Sequence, residues 1–296
     1  MTTPKSHVKA DVLLLLVTLL SALGWIFSKE AVTSMPPLLF MGIRFVIAGF
    51  VLAAVQSRMV FSSTLLQIKL SAGVGALFAL AMTFWIIGLK LSAHVGEAAF
   101  ITSLCLVLVP IMALAFFKEK PPISTWFALP LAISGLALLS LKNGFHIERS
   151  QILLVLAATI IAIHFNVVTH VVAKVPAIRL TTISLFVCGC AMLIISFSLE
   201  NWPHEINRML WIWILSSAIL SSSLRFLLQT YAQSLAPASH TAVIMMLEPV
   251  WATLLSSFWF GEQLNLMQFC GCGLIFSSLL VNRLKWIQLS IKEMLR

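Results

Sequence analysis

Charge is scarce in this chain. Asp, Glu, Lys and Arg together make up 10% of its 296 residues, against roughly 25% in an ordinary soluble domain. Hydrophobic residues reach 60% and the mean hydropathy is +1.03. No soluble fold of this size hides so much apolar surface, so most of the chain must be solvated by lipid. Catalytic and nucleotide-binding signatures are missing as well. No Gly-rich loop ending in Gly-Lys-Ser/Thr occurs, and no soluble nucleotide domain fits, which excludes ATP-driven pumping by this chain alone. Gly-x-Ser-x-Gly and His-Glu-x-x-His are absent, so nothing points to an intramembrane protease or a lipid-modifying enzyme. No selectivity-filter sequence points to a channel. The 5 cysteines all sit inside apolar runs, where a structural disulfide framework is not expected.

What is present is a succession of ten apolar runs, near residues 10–28, 37–56, 68–88, 94–116, 123–141, 150–172, 178–198, 209–231, 237–259 and 265–284. Each is close to the roughly 20 residues that cross a bilayer as a helix. In lipid every backbone group must be bonded within its own segment, which predicts helices. A β-barrel would need alternation with period two, and these runs are continuously apolar. Most connections are short, so neighbouring spans run antiparallel. Lys5 and Lys9 ahead of Val12–Leu20 mimic a signal peptide, but no small-residue cleavage pattern precedes Trp25, and the segment is read as an uncleaved first span.

The formal charge of +9 does not mark a nucleic-acid binder, because the basic residues are scattered through short connections and the C-terminus rather than clustered with aromatics. They orient the chain instead. Lys5, Lys9, Arg58, Lys69, Lys118, Lys120, Lys174, Arg179, Arg283, Lys285, Lys292 and Arg296 fall on one side, against Lys29, Lys90, Lys142, Arg149 and Arg208 on the other. The excess places both termini in the cytoplasm.

The chain also repeats itself. A shift of 143 residues sets Ala99, Ile101, Leu104, Phe117 and Glu119 on the identical Ala242, Ile244, Leu247, Phe260 and Glu262. Apolar matches are cheap here, but two acids closing equivalent helices are not. An odd number of spans per copy makes the copies inverted, an arrangement that recurs in secondary transporters with the substrate between the halves. Halves at 1–145 and 146–296 follow.

The residues carry a resemblance at this point. Leu227–Gln233 (Leu-Leu-Gln-Thr-Tyr-Ala-Gln), then Leu247–Glu248–Pro249–Val250 and Phe260–Gly261–Glu262, resemble the second half of EamA-type members of the drug/metabolite transporter superfamily. Gly24–Trp25, Arg44–Phe45, Ala98–Thr102, Val109–Pro110 and Glu119 match the first half. The resemblance covers nearly the whole chain. It implies a ten-helix carrier in a bacterial inner membrane that moves amino acids or related metabolites, often outward. It also implies a cavity formed by all spans except the fifth and tenth, which buttress it. Two departures stand out: Arg225 where the family has an apolar or aromatic residue, and Lys118 in place of a common Gly.

Ionisable groups inside spans are rare and mark function or pairing. Glu248, halfway along its span and directly before Pro249, is the first candidate, as a contact for a substrate amine or as a protonatable carboxyl; a structural partner for an Arg is the alternative. Pro249 predicts a break in that helix. Arg225, on the preceding antiparallel span, can pair with Glu248, hold a substrate carboxylate through its fork, or snorkel to the surface. Arg44 can hold a carboxylate or serve a structural role. His164 suits a proton relay or simple packing, with Asn166 and His170 on the same span. Glu97, which the shift sets on His240, is read as a helix cap. Gln229 joins the candidate contacts from within the matching stretch. Trp25, Trp85, Tyr231 and Trp251 can wall a cavity, but aromatics at span ends more often anchor at the interface, a reading that only Trp251 escapes. Cys188–Gly189–Cys190 and Cys270–Gly271–Cys272 suit a soft metal ion or, more simply, tight helix packing. Pro110 and Pro130 are candidate bending points in the first half.

The expectation is an all-α membrane protein of two inverted five-helix repeats, a non-enzyme exporting an amino-acid-like compound by alternating access. Arg44, Arg225, Glu248, Gln229, His164 and Trp251 are its candidate substrate contacts. Its expected partners are the bilayer and a small molecule, with a coupling proton and a homodimer left open. It needs no cofactor, metal or nucleic acid. The alternatives are a non-transporting partner subunit and a soft-metal carrier.

Overall fold

The computed structural model describes residues 4–55, 63–91, 95–121, 123–140, 148–203 and 207–260, with 266–267, 269–271, 273–278 and 281. In chain order the helices are α1 (Pro4–Val32), α2 (Pro37–Val55), α3 (Leu65–Leu91), α4 (Val95–Phe117), α5 (Ile123–Ser140), α6 (Arg149–Val171) and α7 (Ala177–Leu199). The eighth span is α8 (Arg208–Ala218), a π-helical turn (Ile219–Leu224) and α9 (Arg225–Leu235). The ninth is α10 (Ala238–Met245) and α11 (Glu248–Phe260), and apolar helix recurs over Phe269–Ser278 in the tenth. Among the described residues there is no strand. Among the described residues seven spans are long and apolar enough to cross a membrane, and Ile101–Phe117, Thr125–Gly135 and Phe269–Ser278 are shorter apolar helices. Several helices outrun their apolar stretches. Helix α1 extends to Pro4 and Val32, and α3 takes in Leu65 and Leu91, because the backbone stays bonded to itself into the interface.

The two halves pack with one another in matching pairs. Helix α3 lies on α6 as the eighth span lies on α1, and α4 lies on α6 as the ninth span lies on α1. Helix α2 lies on α7, a pairing that exchange of the halves returns to itself. Large apolar side chains point outward, with Phe197 77% and Phe258 88% exposed, as suits a lipid-solvated surface.

The α2–α7 crossing depends on small residues. A Cβ on Gly189 would stand 2.6 Å from the Val46 backbone nitrogen and 2.9 Å from the Gly42 carbonyl oxygen. The Cys188–Gly189–Cys190 segment thus lets two backbones touch, as small residues do between membrane helices. At one end of the same pair, the Glu200 carboxylate accepts the Leu38 and Leu39 N–H groups at 3.0 and 2.9 Å. It satisfies two orphan donors in the first turn of α2 and places its charge at the positive helix end.

Helix α4 ends at Lys118, which adopts φ 55°, while the Glu119 N–H turns back to the Ala113 carbonyl at 3.1 Å. Left-handed backbone costs an L-residue roughly 1–2 kcal/mol and glycine almost nothing. Lys118→Gly should therefore stabilise the protein by up to about 1 kcal/mol, read as a raised thermal midpoint in detergent. A lowered midpoint would show that the lysine side chain contributes more than its backbone strain costs.

Candidate functional site

The ninth span breaks where a proline predicts. Helix α10 stops at Met245, Met246 and Leu247 form a turn, and α11 starts at Glu248. Pro249 has no N–H to return to the Met245 carbonyl. The Leu247 N–H tightens onto Ile244 O at 3.0 Å. Glu248 thus occupies the first turn of α11, where the helix dipole favours a carboxylate. Its Oε1 accepts the Trp25 indole N–H at 3.0 Å, and its Oε2 lies 3.8 Å from an Arg225 terminal nitrogen. In the first half, by contrast, α4 and α5 run unbroken through Pro110 and Pro130.

A second irregularity, not foreseen, lies in the eighth span. The π turn Ile219–Leu224 closes with the Arg225 N–H reaching back five residues to Leu220 O. The Ser223 hydroxyl donates to Ala218 O at 2.8 Å and Ala48 O at 3.2 Å. Arg44 grips this turn: Nε donates to Ser222 Oγ at 2.6 Å and Nη2 to the Ser221 carbonyl at 3.2 Å, while Nη1 donates to Ser28 Oγ at 2.9 Å. Gly24 admits the turn against α1, since a Cβ there would meet Ser221 Cβ at 2.8 Å. The guanidinium of Arg44 therefore ties α1, α2 and the eighth span together. Three consecutive serines in an apolar helix are the sequence signal for this device.

These elements surround a cavity of about 160 Å³. Spans one to four, six, eight and nine line it. The seventh, expected among its walls, contributes no lining residue, because it packs behind α2 at the glycine crossing. Trp25 and Trp85 meet edge to face at 5.2 Å and face the cavity rather than anchoring at an interface. Phe45, Phe78 and Phe226 extend the aromatic wall. His164 stacks on Phe78 with centroids 4.7 Å apart. Arg225 lines the cavity instead of snorkelling; its guanidinium carbon lies 4.2 Å from the Phe226 ring centre, and its buried Nε has no partner. Gln229 lines the cavity too, with its amide oxygen buried and unpartnered. Cys105 is a lining residue that sequence reasoning missed.

Other candidates lie elsewhere. Trp251 is not among the lining residues; it packs against the core with its indole N–H unpartnered. Tyr231 accepts a hydrogen bond from Lys9 at 3.0 Å near the end of its span, an anchor position. Asn166 donates to Val109 O and Ala162 O at 3.0 and 2.9 Å. His170 bonds the Asn166 carbonyl at 2.8 Å and approaches Glu119 at 3.2 Å. The Glu97 side chain and Cys272 lie outside the described residues. Cys188 is buried, Cys190 half-buried and Cys270 exposed. Among the described residues no three His, Cys, Asp or Glu side chains gather as metal ligands.

A second compartment of about 220 Å³ adjoins the first at Trp25 and reaches Lys29 and Lys90, at the ends of α1 and α3 away from the N-terminus. The opposite side is crossed by polar bonds. Asp11 meets His240 Nε2 at 2.7 Å, joining α1 to α10, and the Gln233 amide donates to Phe165 O at 3.3 Å.

The model of the EamA-like transporter family matches this chain twice, over residues 8–141 and 149–284. A protein of Archaeoglobus fulgidus named as an uncharacterized transporter is 28% identical over 279 residues, covering 93% of this chain and 86% of that protein. The uncharacterized transporter YwfM of Bacillus subtilis is 28% identical over 177 residues, 56% of this chain and 57% of its own. A crystal structure of an 18% identical protein superposes with a TM-score of 0.80 over 95% of this chain and 98% of the other, a likeness of fold.

Proposed function

This chain belongs to the EamA-like transporter family, and from that premise we propose that it is a secondary carrier exporting a zwitterionic, amino-acid-like metabolite by alternating access. The observation that carries the reading is the pairing of Arg225 with Glu248. They are 3.8 Å apart, looser than the roughly 2.7–2.9 Å of a made charge-assisted bond, and they line a cavity that Trp25, Trp85, Phe45, Phe78 and Phe226 also wall. A ligand carboxylate takes the open donors of Arg225, and its ammonium takes Glu248 Oε2. Each end of a zwitterion thus meets an opposite charge, while the aromatic wall excludes water and strengthens both contacts.

The proposed setting is the inner membrane with both termini in the cytoplasm, as the distribution of Lys and Arg supports. The compartment at Lys29 and Lys90 then faces outward, and the arrangement described is the one from which an exporter releases substrate. Rocking of the halves about Met246–Leu247 and the π turn would expose the cavity to the cytoplasm. The energy comes from the substrate's own gradient or from protons.

The test is a small-molecule profile of cytoplasm and medium from cells overproducing the chain or its Glu248→Gln variant. One amino-acid-like compound leaving only cells with the intact protein supports the proposal and names the substrate. Identical profiles would remove export of a common metabolite and favour uptake or a partner role.

A further inference from the structure

Three residues of the eighth span, Ser221, Arg225 and Gln229, line the cavity at intervals of four. Each carries a buried polar atom without a partner: Ser221 Oγ, Arg225 Nε and Gln229 Oε1. In a straight α-helix of 3.6 residues per turn, successive steps of four drift by about 40° each. The π turn between Ser221 and Arg225 holds more residues per turn and takes back part of that drift. The irregularity therefore keeps all three side chains on one face, where they line the cavity.

The order along the helix assigns their tasks. Ser221 lies toward the compartment that reaches Lys29 and Lys90, and Arg225 is level with Glu248. Gln229 lies one turn further in, about 6 Å at 1.5 Å per residue, on the side crossed by polar bonds. If a zwitterion's charged groups occupy Arg225 and Glu248, its side chain can point inward to Gln229. Gln229 is only 8% exposed. An unpaired buried acceptor of this kind costs about 1–3 kcal/mol, which a ligand donor would relieve and an apolar side chain would not.

We infer that Gln229 selects the substrate's side chain, favouring one that ends in an N–H or O–H donor over an apolar one of equal size. The inference rests on the proposed zwitterion site and adds the class of side chain that the site takes. Glutamine and methionine are suitable probes, being close in length and differing in the donor. Sites built to hydrogen-bond a substrate group reject analogues that lack it far more strongly than apolar pockets discriminate by size.

The experiment is binding of radiolabelled L-glutamine and L-methionine to the purified full-length protein. The intact protein should prefer L-glutamine at least tenfold. Gln229→Met should erase or reverse that preference, whereas Gln229→Glu, which keeps an acceptor, should retain it; the second variant guards against loss through misfolding. Binding of both probes with the same ratio in all three proteins would overturn selection by Gln229 while leaving the zwitterion site standing. Binding of neither probe to the intact protein would overturn the zwitterion site and this inference together.

Discussion

Replacing Glu248 by Gln should cut transport at least a hundredfold while the chain still inserts and folds. Glutamine preserves the volume and leaves an oxygen for the Trp25 N–H, now 3.0 Å from the carboxylate. What disappears is the negative charge beside Arg225 and, among the described residues, the only acidic group lining the cavity. A substrate ammonium seated on Glu248 would complete a buried, hydrogen-bonded charge pair; removing one partner of such a pair costs about 2–5 kcal/mol, and each 1.4 kcal/mol is roughly a factor of ten. The measurement is flux of the exported metabolite, normalised to the amount of protein in the membrane. Full activity in the variant would remove Glu248 from the substrate path. Lost flux together with lost membrane protein would instead assign it a structural role.

Arg44→Lys should fail for a different reason, through stability. The guanidinium makes three bonds from its planar fork, to Ser222, Ser28 and the Ser221 carbonyl. An ammonium cannot reproduce that geometry. The serines and the π-turn carbonyl would lose donors in a buried setting, where each unmet group costs about 1–3 kcal/mol. A net loss of ~3 kcal/mol corresponds to a fall of roughly 6–12 °C in the midpoint at 2–4 °C per kcal/mol. The experiment is thermal unfolding in detergent without added substrate, where a ligand contact would show no effect. An unchanged midpoint accompanied by weakened substrate binding would reverse the assignment and make Arg44 a ligand contact after all.

The sequence by itself determined the architecture. Lipid leaves the backbone no partner but itself, so apolar length alone dictated helices and their number. Two matched halves followed from Glu119 and Glu262 closing equivalent spans. Pro249 announced the break at Met246–Leu247, because a missing N–H is a local and unavoidable defect. Residues whose charge cannot face lipid, Arg44, Arg225 and Glu248, stood out for the same kind of reason.

What the sequence could not decide was direction around each helix. In a soluble helix a polar stripe reveals the outer face, but these helices are apolar all round, and lipid and protein interior accept the same side chains. Only tertiary packing brought Trp25 and Trp85 to the cavity, left Trp251 outside it and set the seventh span behind α2. Close contact placed Arg44 as well, at the cavity wall and against the π turn: Gly24 lets the turn approach α1, and the turn offers the carbonyl and hydroxyl that the guanidinium holds. Asp11 with His240 and Glu200 with the first turn of α2 were hidden for the same reason, since each pair joins residues far apart in the chain. Composition dictated what the chain forms in a bilayer, and packing between helices of equal hydrophobicity decided which residues face the cavity.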